Sequence, residues 1–313
     1  MKAKSDEITA FLWKCPLSRL EAWTFYYACY LPSVGYPLPC SFMTKSQLET
    51  IQSKAMSIIV PRCGYNRNTK KDILYGPMEL GGASFRHLYV EQGIGQIKLF
   101  LRSWRSGSVA GRLLRIAVGW FQAQAGTSVC FLENVATELP HPESKWIASL
   151  RSFLASIEAS LQLDVTGVSA IQRQHDFHIM DGILESKLST DVEIKRLNYC
   201  RLFLQANTIS DITKPDGCTL DHSMLRGAPS LQSGKTRGVT IHQARPSEKD
   251  WSLWRKANQL WSNDSGNLHQ ALGPWIVPIH NQRQTHHSYS TRREVWVRID
   301  SMLYVRCTPT GQS

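Results

Sequence analysis

Residues 86–105 read RHLYVEQGIGQIKLFLRSWR, and this stretch decides the fold class. Ile94, Ile97, Leu101 and Trp104 recur three and four positions apart, the spacing that lines one side of an α-helix. Lys98, Arg102 and Arg105 follow at i, i+4 and i+7, and we set them on the face opposite that stripe. An amphipathic helix of this kind needs a core made by other helices.

The flanking segments supply them. Residues 19–31 are rich in Ala, Leu and aromatics, and Pro32 is expected to stop the helix they form. Trp23, Phe25, Tyr26, Tyr27 and Tyr30 cover most of its circumference, which points to burial rather than to a base-stacking platform. Thr44 and Gln47 form a capping box that opens a second helix, with Leu48, Ile51, Ala55 and Ile58 in register until Pro61. Further stripes fall at Leu113, Ile116, Ala117, Trp120 and Phe121, and at Trp146, Leu150, Phe153, Ile157 and Leu161 within residues 143–163. Residues 191–205 add Ile194, Leu197, Arg201 and Leu204. We therefore expect a mainly α protein, with a helical bundle over residues 1–207.

Residues 208–250 are dense in Ser, Thr, Gly, Pro and Asp and read as a linker or long loop. Residues 251–313 read as a small α+β module. Trp251, Trp254, Leu260 and Trp261 mark a short helix there. Trp275-Ile-Val, Val295-Trp-Val-Arg-Ile and Met302-Leu-Tyr-Val look like strands, the last two joined by a turn near Asp300-Ser301.

The chain has 313 residues, 42% hydrophobic and 19% charged, so a packed core is expected and wholesale disorder is not. Residues 20–43 carry Glu21, Pro32, Pro37 and Pro39, which break any spanning apolar run. The first seven residues mix both signs of charge and do not resemble a secretory signal, so an intracellular protein is expected, with no membrane partner. Its eight cysteines contain no C-x-x-C pair and read as reduced, mostly buried thiols.

Neither a phosphate-binding glycine loop nor a G-x-S-x-G or H-E-x-x-H motif occurs, and no two aspartates are adjacent. A polymerase centre clamps two metal ions between clustered carboxylates, so no catalytic residue and no metal site is assigned. His175 and His178, if helical, share a face, but no third ligand is set by spacing. Cys218 and His222 are equally weak as a pair.

Charge is the stronger signal. The formal net charge is +11, of which residues 1–110 hold +7, residues 111–230 hold −2 and residues 231–313 hold +6. Arg62, Arg67, Lys70 and Lys71 surround the turn-forming run Gly64-Tyr-Asn-Arg-Asn-Thr. Together with Lys98, Arg102 and Arg105 they are the candidate nucleic-acid-binding residues, since cations in a row can track a phosphate backbone and release its counterions.

Particular words of the sequence carry a resemblance. Arg19-Leu-Glu-Ala-Trp, Tyr30-Leu-Pro, Tyr36-Pro-Leu-Pro, Leu48-x-x-Ile-Gln and Gly64-Tyr-Asn-Arg-Asn-Thr resemble reverse-transcriptase polyproteins of non-LTR-like retrotransposons. The run Tyr75-Gly-Pro-Met-Glu-Leu-Gly-Gly continues it. In that family a P-x-x-x-G-G-[LI]-G-[FL] pattern follows the catalytic palm. This chain keeps Pro77, Gly81, Gly82 and Phe85 and departs at Ala83 and Ser84. Leu272-Gly-Pro-Trp is similar to the family's C-terminal extension. The block covers about residues 19–105, and looser likeness extends over most of the chain.

The resemblance implies a thumb and connection region without the palm, whose paired aspartates and Mg2+ belong upstream of this block. It implies no cofactor within this stretch, no polymerase activity by the chain alone, and retained grip on a template–primer duplex of RNA and DNA. The missing palm, acting in trans, is a further implied partner. The competing reading is a helical protein-interaction module with no nucleic-acid role. A hydrolase built on His175 and His178 is the weakest of the three.

Overall fold

The structure is a computed structural model that describes residues 1–164, 166–187, 189–227 and 245–276, and the backbone of strands 295–299 and 302–306. It is mainly α, as the sequence predicts. The chain divides into two compact units. One comprises residues 1–121, 130–138 and 142–167, and the other residues 122–129, 139–141 and 168–313. The expected boundary at 207 is thus displaced to about 167.

The first unit begins with α1 (Lys2–Lys14), which packs on α4 (Lys45–Arg62). Between them α2 (Arg19–Phe25) runs through a π-turn, Tyr26–Tyr30, into α3 (Leu31–Gly35). Pro32 does not end the helix here. The amide of Leu31 donates to the carbonyl of Tyr26, five residues back. That widened turn offsets the carbonyl the proline ring would otherwise strike. Tyr26 and Tyr30 are fully buried and stack at 5.8 Å, while Phe85 lies on the Trp23 ring at 4.6 Å, so the aromatic crowd is core.

Both sides of the Thr44–Gln47 capping box are present, and α4 ends one residue past Pro61. A short α5 (Lys71–Tyr75) leads to α6 (Leu88–Arg105), α7 (Val109–Ala125) and α8 (Lys145–Ser156). The α6 stripe read from the sequence is wrong in all but Trp104. Its buried face is Leu88, Gln92, Gly93, Gln96, Phe100 and Trp104, and Ile94 is exposed. Gln92 is paired at both ends of its amide, whereas Gln96 is paired through its nitrogen and its buried Oε1 has no partner among the described residues. Gln92 Oε1 accepts from the Ser41 hydroxyl at 2.7 Å, and Gln96 Nε2 donates to the Ser41 carbonyl at 2.7 Å. The α8 stripe is likewise partial: Leu150 and Phe153 are buried, Ile157 is exposed, and the helix stops at Ser156.

In the second unit α9 (Ile179–Ser186) and α10 (Asp191–Leu204) are followed by a 3-10 turn, Ile209–Ile212, and by α11 (His222–Leu225). Then comes α12 (Glu248–Asn258). The α10 register is as expected, with Ile194, Leu197, Arg201 and Leu204 all buried. Residues 208–227 are not a linker, because Ile209, Ile212, Leu220 and Met224 sit in the same core as Trp251 and Trp254. The rest of that expected linker up to residue 244 lies outside the described residues. Two antiparallel strands, β1 (Val295–Ile299) and β2 (Met302–Arg306), pair from Val295 with Arg306 to Ile299 with Met302. The turn expected at Asp300-Ser301 lies outside the described residues, as does Val277 of the third expected strand. Trp275 is in an isolated bridge with Arg173, whose guanidinium lies 4.9 Å over its ring, and not in a paired strand.

Candidate nucleic-acid interface

Helix α6 begins at His87, whose Nδ1 accepts the Tyr89 amide at 3.1 Å. Its buried face rises four residues at a time from Leu88 to Trp104. At ~100° per residue that face points away from Lys98, Arg102 and Arg105, and all three are exposed. Among the described residues none of the three forms an ion pair. They span about 10 Å of helix axis, about the rise of three phosphates along one strand of a duplex. The row sets three exposed positive charges along one helix face.

The other four candidates divide. Arg62 is committed within the fold: its guanidinium donates to the carbonyl of Cys15 and, at 3.3 Å, to that of Trp13. It satisfies the C-terminal end of α1, and its role as a phosphate contact is withdrawn. Lys71 lies 3.5 Å from the Glu49 carboxylate on the surface. Arg67 and Lys70 are exposed in the turn that the Asn66 side chain closes by accepting the Asn68 amide at 2.8 Å. Arg19 was absent from the sequence set, yet its guanidinium lies against Gly64 of this turn, about 3.0 Å from where a Cβ would stand. Only the fold shows it there.

The turn and the α6 row are not one patch. Tyr65 packs edge-on against Phe85, just before α6 begins, at 6.0 Å. Lys98 to Arg105 lie on the far half of that helix, about 15–25 Å along its axis. Lys98 also lines a shallow groove of about 350 Å³ with Tyr27, Pro32, Pro39 and Ile94. At its edge Arg86 lies 3.6 Å from the Glu91 carboxylate.

His175 and His178 do not share a helical face. His175 is exposed in a left-handed turn at φ +62°, and buried His178 precedes α9 with Nε2 2.9 Å from the Ser169 carbonyl. Asp176 between them is buried and accepts the amides of Phe177 and Ser210 at 3.0 Å; burial pushes its carboxyl up. Cys218 is exposed, as are Cys29 and Cys40, whereas Cys63, Cys130 and Cys200 are buried. The described cysteines are free, though not mostly buried. Among the described residues no group of three or more His, Cys, Asp or Glu is placed to hold a metal ion. None of their helices is long and apolar enough to cross a membrane.

No protein-family model, curated protein or solved structure matches this chain.

Proposed function

We propose that this chain is a thumb-like piece of a retroelement reverse transcriptase, whose N-terminal unit holds a template–primer duplex by its phosphates. The observation that carries the binding reading is the exposed row Lys98, Arg102 and Arg105 on an 18-residue helix, none of them ion-paired among the described residues. Arg19, Arg67, Lys70 and Lys71 form a second, separate contact. Such contacts position a duplex without reading its bases, as a grip that slides along any template must.

Backbone geometry supports the family reading. Where the family pattern has its third glycine this chain has Ser84, and Ser84 adopts the left-handed conformation at φ +55° that glycine suits. Its hydroxyl accepts the Met78 amide at 2.9 Å, which offsets part of that cost. Gly81 is left-handed at φ +80°, and a Cβ on Gly82 would stand 2.2 Å from the Gly76 carbonyl oxygen. Gly81 and Gly82, shared with the family pattern, are the residues this turn demands.

Fluorescence anisotropy of a labelled RNA–DNA hybrid across a salt series tests the proposal. Replacing Lys98, Arg102 and Arg105 by Ala should reduce the log–log salt slope by up to about 2.7, at ~0.9 per phosphate released. Unchanged affinity and slope in the triple variant would refute the duplex-binding role.

A further inference from the structure

Helix α7 has two apolar faces. Val118 and Phe121 are buried, with Phe121 against Phe131 at 4.4 Å between ring centres. On the opposite side Val109, Leu113, Ile116 and Trp120 are exposed by 61, 60, 52 and 39%. Steps of four, three and four residues make a 3.5-residue repeat. At ~100° per residue the four side chains fall within a band about 60° wide. That is the seam a helix presents to a partner helix; a helix lying on a membrane shows a broader apolar face.

A second observation lies at the flank of this band. Gly119 sits inside α7 next to Trp120, and no atom of the described residues lies within 4 Å of where its Cβ would be. Gly111 on the same helix is different, since a Cβ there would stand 2.3 Å from the Ser106 carbonyl oxygen. Glycine inside a helix costs stability, and the described packing gives Gly119 no reason to be there. It keeps an open lane beside the seam where another backbone can come close.

The charges around the seam choose the partner. Helix α7 contains Arg112 and Arg115 and no acidic residue. Arg115 is held by the Trp104 carbonyl at 2.7 Å, leaving Arg112, one heptad before Gly119, to flank the seam. Two copies of α7 would set like charges along one seam, which disfavours self-pairing. We propose that the exposed face of α7 docks an amphipathic helix of another protein, whose apolar seam is flanked by carboxylates. This surface does not depend on the nucleic-acid reading.

The test uses the full chain and a displayed library of helical peptides with Leu at both seam positions and random flanking residues. Selection should enrich Asp and Glu in the flanks. A single short seam should give a selected peptide micromolar affinity. Leu113→Gln with Ile116→Gln should weaken that peptide at least tenfold, as should Gly119→Leu, which fills the lane. Circular dichroism and urea unfolding matching the parent establish that these variants fold. No enrichment, enrichment of neutral or basic flanks, or equal binding by the folded variants overturns the proposal. Binding to phosphatidylserine vesicles without peptide enrichment, lost in Leu113→Gln/Ile116→Gln, would overturn it in favour of a membrane surface. Dimerisation abolished by the same double variant would overturn it in favour of a second copy.

Discussion

A Cβ placed on Gly93 of α6 would lie 2.1 Å from Cγ of Phe153 on α8. The phenyl ring rests on bare backbone, so any side chain at 93 must push the two helices apart. Gly93→Ala should cost about 1–3 kcal/mol, the usual range for overpacking. Gly119→Ala, with open space around it, should be neutral or stabilise by up to ~1 kcal/mol through helix propensity. Urea unfolding of both variants checks the pair, and equal midpoints would contradict the packing described.

Acid should weaken the N-terminal unit through His87. Burial holds its pKa below the ordinary 6.5, although Glu49 at 3.5 Å pulls the other way. Protonating Nδ1 would also cost α6 its cap and set a positive charge at a helix N-terminus. With the folded pKa below the unfolded one, the unfolded chain binds more protons between the two values. This contribution is therefore complete above pH 6.5 and is lost as pH falls through the folded pKa, with a slope of at most about 1.4 kcal/mol per pH unit. His87→Asn keeps a capping side chain without the titration and should flatten the dependence of stability between pH 8 and 5.

Arg201 anchors the C-terminal unit. It is fully buried, and burial draws its pKa down to about 10, so it stays charged at neutral pH. Its guanidinium donates to the Asn207 side chain at 2.7 Å and to the carbonyls of Ala123 at 2.6 Å and Gln124 at 3.0 Å. Arg201→Ala should destabilise this unit by about 1–3 kcal/mol, through hydrogen bonds lost from a charged donor and buried carbonyls left without a partner. Hydrogen exchange on α10, the last turn of α7 and the loop at residues 126–129 would report it, and unaltered protection would contradict the role.

Arg62 and the α6 cations should separate in experiment. Arg62→Ala removes hydrogen bonds from a charged donor to the end of α1 and should cost about 1–3 kcal/mol. It should leave the salt dependence of duplex binding as in the parent. A reduced salt slope in a folded Arg62→Ala protein would restore Arg62 to the binding surface.

Which parts were legible in the sequence follows from how far each determinant reaches along the chain. The Thr44–Gln47 cap, α10 with its buried register, and the paired strands 295–299 and 302–306 are written in neighbours a few residues apart. Short-range hydrogen bonds and side-chain period set them. The cationic row on α6 was legible for the same reason, since i, i+4 and i+7 share a face wherever the helix lies.

Only the tertiary structure decided which side of α6 is buried. Gln92, Gln96 and Gly93 are hidden because Ser41 and Met43, distant in sequence, bond the Gln92 amide and the Gln96 nitrogen, and Phe153 fills the glycine's space. Hydrophobic period cannot register that. Likewise Arg62 and Arg67 are the same residue type five positions apart, yet one is consumed by the carbonyls of residues 13 and 15 and the other is exposed to solvent. The polar run after residue 207 became core because Ile209, Ile212, Leu220 and Met224 meet Trp251 and Trp254, a long-range burial that outweighs the loop-like composition around them.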